Sequence, residues 1–122
     1  MSKRILVIED EPHIAEAISF ILSRDGWHVR SHSEGANAIE VIRAEPTDVL
    51  ILDVMLPGRS GYEILEALRA DAGLRDLPVL LLTARGQAKD RELAERLGAN
   101  RVITKPFSNT DVLDTVRAMT GG

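Results

Sequence analysis

Four short, mostly aliphatic runs in this chain each end on a polar residue. ILVI is followed by Glu9 and Asp10, VLIL by Asp53, VLLL by Thr83, and VIT by Lys105. Asp53 stands out, because Val54, Met55 and Leu56 follow it and a carboxylate among apolar residues is costly unless something satisfies it. Brought together, these side chains define a chemistry. Two or three carboxylates a few ångströms apart repel, which raises at least one pKa. A divalent cation with oxygen ligands removes that penalty. Mg²⁺ suits the role, since it takes a few carboxylates, keeps waters and leaves room for a phosphoryl group. Beside such an ion an aspartate can stay ionised and attack phosphorus, forming an aspartyl phosphate. Lys105 could then neutralise one phosphoryl oxygen and Thr83 donate to another.

Taken singly, each residue has a plainer role. Asp10 could cap the first helix as a surface carboxylate, Thr83 could cap the segment after it, and Lys105 could be an extended surface lysine. The coincidence of such residues at four strand ends favours a site. The histidines read differently. His28 and His32 alternate with Arg30 on a polar strand, and His13 sits in a first helical turn. None pairs with another at metal-ligand spacing, so all three read as structural or surface residues.

The elements that must position these groups follow from periodicity. Lys3–Ile8, Val49–Leu52, Val79–Leu82 and Arg101–Thr104 read as strands, being short, apolar and rich in branched residues. Trp27–His32 is a more polar strand suited to a sheet edge. Pro12 suits a first helical turn, and Ile14, Ala17, Ile18, Ile21 and Leu22 share one face of the helix that Gly26 ends. A second helix carries Ala38, Ile39, Val41 and Ile42 and is closed by Pro46. Pro57, Gly58 and Gly61 mark a loop, and Ser60 with Glu63 has capping-box spacing ahead of Ile64, Leu65 and Leu68. Lys89–Leu97 is a polar helix with Leu93, Ala94 and Leu97 to bury, ended by Gly98. Ser108 caps a last helix carrying Val112, Leu113, Val116 and Met119.

The pattern is βα five times over. It predicts an α/β fold, a doubly wound five-stranded parallel sheet with helices on both faces. Such sheets bind ligands outside the carboxyl ends of their strands, where the strand order reverses. In the order 2-1-3-4-5 the first and third strands flank that point, so Glu9, Asp10, Asp53, Thr83 and Lys105 converge in one crevice.

The totals narrow the rest. The 122 residues suit one domain with a real core. The net charge is −4 with no basic block, which argues against direct nucleic-acid binding. No apolar run approaches the ~20 residues of a membrane span, and MSKRILVIEDE lacks a cleavage-site pattern. The absence of cysteine excludes disulfides and thiol chemistry and fits a cytoplasmic setting.

At this point the chain resembles the receiver domain of two-component response regulators. ILVIEDE, LILDVMLPGRSGYEIL, LLTAR and GANRVITKPF carry the resemblance over the whole length. It implies a flavodoxin-like sheet and a phosphoacceptor role for Asp53. Asp10, Asp53 and the backbone carbonyl of Met55 would bind Mg²⁺, with Glu9 acting mainly through water. Thr83 would be the switch hydroxyl, Lys105 would pair with the phosphoryl group, and its bond to Pro106 would be cis. A histidine kinase or phosphotransfer protein would donate the group. The only reactions catalysed would be the domain's own phosphorylation and dephosphorylation, so it is not otherwise an enzyme. A downstream protein would read the face formed by helix four, strand five and helix five. Met55 and Arg85, two residues past Asp53 and Thr83, would restrict water and slow hydrolysis. One position departs from the pattern: Val102 stands where many receivers carry Tyr or Phe.

Other functions fit less well. A Mg²⁺-dependent aspartyl phosphatase resembling the haloacid dehalogenase family wants a carboxylate two residues after the nucleophile, where Met55 stands. A flavin or nucleotide module wants a Gly/Ser/Thr-rich loop after the first strand, where EDEPH stands. A degenerate receiver acting as a phosphorylation-independent interaction module would have lost key residues, and all are present. The expected organisation is one receiver domain over residues 1–122 with no output domain.

Overall fold

The central strands are aliphatic at every position because they are buried on both faces. In the computed structural model, which describes residues 3–84 and 88–120, five strands alternate with five helices. In chain order these are β1 (Lys3–Ile8), α1 (Pro12–Arg24), β2 (Trp27–His32), α2 (Ala38–Ala44), β3 (Val49–Asp53), α3 (Gly61–Ala70), β4 (Val79–Thr83), α4 (Ala88–Leu97), β5 (Arg101–Thr104) and α5 (Asn109–Thr120). The sheet is parallel throughout, in the order β2-β1-β3-β4-β5. This is the expected doubly wound α/β fold, with the polar strand β2 at an edge.

Alternation along the strands divides the core in two. Leu6, Ile8, Leu50, Leu52, Val79 and Leu81 face Ala38 and Ile42 of α2, Ile64, Leu65 and Leu68 of α3, and Ala94 of α4. Ile5, Val7, Val49, Ile51, Leu80 and Leu82 face Ile18 and Leu22 of α1 and Val112 and Val116 of α5. A one-residue slip of any strand would exchange its two faces and misplace the groups at its end.

Two strands run one residue further than apolar patterning indicates. Asp53 is paired with Leu82, and Thr83 with Thr104, so both polar residues belong to the ladder. The helix starts are chemically fixed. Ser60 Oγ accepts from the Glu63 N–H at 3.2 Å while Glu63 Oε1 accepts from the Ser60 N–H at 3.1 Å, completing the expected capping box. Ser108 and Asp111 exchange the same pair of bonds, each at 3.1 Å, ahead of α5.

Gly61 ties α3 to the end of β3. Its N–H donates to the Val54 carbonyl at 2.9 Å. A Cβ there would overlap the Asp53 carbonyl oxygen and lie 2.8 Å from Val54 Cα. Gly61→Ala is therefore expected to destabilise the fold by roughly 1–3 kcal/mol, as overpacking against backbone does. Urea unfolding should show a lower midpoint with an unchanged slope; an unchanged midpoint would mean that α3 yields freely.

Candidate functional site: an acidic cluster with one lysine

Glu9 follows β1 directly, and its carboxylate is buried although its neighbour Asp10 is exposed. The backbone fixes it. The Glu9 N–H donates to the His32 carbonyl at 3.0 Å, and Glu9 Oε2 accepts from the Glu11 N–H at 3.1 Å. Asp53 ends β3 at 1% exposure, its Oδ1 accepting from the Met55 N–H at 3.3 Å. One oxygen from each of Glu9, Asp10 and Asp53 lies within 4.8 Å of the others.

Lys105 completes the group from the end of β5. Its Nζ stands 2.9 Å from Glu9 Oε1 and 3.2 Å from Asp53 Oδ2. Those two oxygens are buried and face the ammonium at ion-pair distance, yet among the described residues neither has an aligned hydrogen-bond donor. The lysine is positioned through its backbone, whose N–H donates to the Thr83 carbonyl at 2.7 Å. Thr83 is itself buried, one residue beyond Leu82, the β4 partner of Asp53, so strand register sets it next to the end of β3. The Lys105–Pro106 bond is cis, as the resemblance implies.

The electrostatics follow from crowding. Burial pushes the Glu9 pKa up, and the hydrogen bond and charge of Asp53 push it further; the Glu11 N–H and Lys105 oppose them. Burial by itself would lower the pKa of Lys105. Its close contact with the Glu9 carboxylate and the charges of Asp53 and Glu9 outweigh it and raise the pKa. Three clustered carboxylates with one ammonium, which faces Glu9 and Asp53, leave an excess of negative charge. Two half-satisfied oxygens and an all-oxygen donor set fit a hard divalent cation such as Mg²⁺.

This imbalance gives a testable pH dependence. Folded Glu9 holds its proton to higher pH than unfolded Glu9, so its contribution to stability is complete below 4.5 and is lost as pH rises through the folded pKa. In the absence of divalent ions, wild type should gain stability between pH 7 and pH 5 relative to Glu9→Gln. Thermal melts of the two proteins should diverge over that window; parallel pH profiles would contradict the assignment. Saturating Mg²⁺ at pH 7 should stabilise wild type by ~2.7 kcal/mol at a hundredfold excess over Kd.

The expected residues thus fall into one place: Glu9, Asp10, Asp53, Thr83 and Lys105. Met55 has an exposed side chain and a backbone held against Asp53. Val102 is half-buried against the core. Arg85 lies outside the described residues. The histidines stay out of the acidic cluster, as expected: His13 and His28 are exposed, and His32 Nε2 meets Asn37 Oδ1 at 2.8 Å. Sequence reasoning missed two contributors, the His32 carbonyl and the Glu11 N–H. Both act through the backbone, which leaves no residue-type signal.

Comparison with known proteins agrees with this geometry. The family model of the response regulator receiver domain matches residues 5–117. The chain is 38% identical, over 98% of its length, to the phosphate regulon transcriptional regulatory protein PhoB of Klebsiella pneumoniae. It spans about half the length of the curated relatives it matches, 52% of that one. Among solved structures it is similar to the chemotaxis response regulator CheY4 of Vibrio cholerae, with a TM-score of 0.91 and 25% identity, covering 98% of this chain and 99% of that one. It is also similar to the receiver domain of the sensor histidine kinase PA1611 from Pseudomonas aeruginosa PAO1, with a TM-score of 0.88 and 27% identity over the full length of both. That structure holds a magnesium ion in its active site cleft.

Proposed function

Since the chain belongs to the response regulator receiver domain family, we propose that it accepts a phosphoryl group on Asp53 and uses it to switch a protein-binding face. The donor is a phosphohistidine on a histidine kinase or phosphotransfer protein. An Asp53 carboxylate oxygen attacks phosphorus, the O–P bond forms, and the P–N bond breaks with its electron pair returning to the imidazole. Lys105, already within 3.2 Å of Asp53, neutralises charge on the transferring oxygens. Thr83 donates its hydroxyl to another oxygen. Asp10, Asp53 and the Met55 carbonyl would hold Mg²⁺, with Glu9 acting through water. When bound, the ion cancels the charge of the carboxylates and of the incoming phosphoryl group. Hydrolysis later reverses the state by attack of water on phosphorus. Met55 restricts that water, which makes the phosphorylated state long-lived.

The observation that carries this reading is the burial of Asp53 beside Glu9, with oxygens that lack aligned donors among the described residues. The output is read on the face formed by α4, β5 and α5 by a protein partner, not by nucleic acid, and the 122 residues act as a single receiver domain in the cytoplasm. No helix of the described residues is long and apolar enough to cross a membrane. Intact mass after incubation with acetyl phosphate provides the test. A phosphoryl-sized increase that needs Mg²⁺ is expected. A folded chain that binds Mg²⁺ and gains no mass would instead be an interaction module that ignores phosphorylation.

A further inference from the structure

Helix α4 is held unevenly. Ala94 is its one buried residue among those described, and its first half is mostly exposed. One long side-chain bond, Arg91 Nη2 to Thr104 Oγ1 at 3.4 Å, reaches from that half to β5. Asp90 Oδ2 is buried there with no donor among the described residues. The opposite end is locked. The Ala99 N–H donates to the Ala94 carbonyl at 2.9 Å and the Gly98 N–H to the Glu95 carbonyl at 3.0 Å, with Gly98 at φ +102. This is the paired C-terminal closure that glycine permits.

The Gly98 carbonyl is then gripped from α3. Arg69 donates to it twice, from Nε at 3.0 Å and Nη2 at 2.7 Å. The same guanidinium donates to the carbonyls of Arg75 at 2.8 Å and Leu77 at 2.7 Å, and to Asn100 Oδ1 at 3.0 Å. Asn100 Oδ1 also accepts from the Val79 N–H at 2.8 Å, which joins the clamp to the start of β4. Among the described residues Arg69 forms no ion pair. Its fork is spent on uncharged oxygens of two chain segments, residues 75–77 and 98–100, a task that suits the rigid five-donor geometry of arginine and not lysine. A Cβ on Gly98 would sit 2.9 Å from Arg69 Nε.

We propose that Arg69 is a positioning residue that makes the Gly98 end of α4 a fixed pivot, so that switching displaces the end nearer Thr83 and leaves the far end in place. The proposal rests on the receiver reading, since it assigns a direction to the motion that phosphorylation would drive. Thr83 precedes α4 by a few residues, whereas the clamp lies at its other terminus. A helix free at both ends would shift as a whole; one clamped at one end must swing.

Residue-resolved amide hydrogen exchange on the full chain, first without ligand, tests the clamp. In wild type, Gly98 and Ala99 should exchange about tenfold or more slowly than amides near Glu92 and Leu93. Arg69→Gln should erase that gradient while leaving β1 and β3 protected, and Arg69→Lys should restore only part of it. A general loss of protection would mark an ordinary structural residue and overturn the proposal, as would an unchanged gradient in Arg69→Gln. Beryllofluoride with Mg²⁺ should then perturb wild-type amide shifts most at Ala88 and least at Ala99, and evenly in Arg69→Gln. Even perturbation in wild type would also overturn the pivot. No response at Asp53 itself would instead count against the receiver reading, with the ligand-free exchange still deciding the clamp.

Discussion

Asp53→Asn should gain no phosphoryl group under any donor, yet fold, and in the absence of Mg²⁺ should be more stable than wild type. The amide keeps the shape of the carboxylate and loses the anionic oxygen that attacks phosphorus. Asp53 also raises the pKa of Glu9 through its hydrogen bond and charge, so its negative charge is a cost to the folded, metal-free state. Removing that charge leaves Lys105 to pair with Glu9 at 2.9 Å. A higher urea midpoint than wild type is therefore expected. Denaturant titration at pH 7 checks the stability, and intact mass checks the chemistry. With Mg²⁺ present the order should reverse, because the variant loses a metal ligand. A stable adduct on Asp53→Asn would place the phosphoacceptor elsewhere.

Lys105→Met should impair both roles of the lysine. Two carboxylates within ion-pair reach of its ammonium would lose their counter-charge. Breaking a fully buried ion pair costs ~3–5 kcal/mol; roughly 2 kcal/mol is expected here, because the Lys105 side chain is 21% exposed and its charge is partly screened. Phosphorylation by acetyl phosphate should slow by about 10²–10³, the usual effect of deleting one group that stabilises transition-state charge. The pH dependence separates these effects. The folded pKa of Lys105 is raised above 10.5, so its stabilising contribution is full below 10.5 and is lost as pH rises through the folded value. The stability gap between wild type and Lys105→Met should persist from pH 7 to pH 10 and close at higher pH. An equal gap at all pH values would assign the loss to packing.

What could be read from the chain depended on whether side-chain type or backbone geometry did the work. The strand-end residues were legible because a carboxylate after VLIL has few other uses, and because parallel topology directs every strand end to the same side. The Ser60–Glu63 box was legible because its chemistry is local. Strand limits were not. Asp53 and Thr83 read as loop residues by polarity, but ladder pairing with Leu82 and Thr104 holds them in the sheet. The clamp on α4 was equally hidden. Arg69 looks like any surface arginine of an amphipathic helix, and its acceptors are oxygens that only the finished fold brings together. Glu9 shows both sides: its type announced an acidic pocket, while its burial comes from the His32 carbonyl and the Glu11 N–H.

The most direct measurement is chemical trapping of the acyl phosphate. The chain would be incubated with Mg²⁺ and acetyl phosphate, reduced with borohydride, which converts a phosphorylated aspartate to homoserine, and digested for mass spectrometry. Homoserine at position 53, absent without Mg²⁺ and absent from Asp53→Asn, is the predicted result. Homoserine at another position, or none from a folded protein that binds Mg²⁺, would contradict the assignment of Asp53 as the phosphoacceptor.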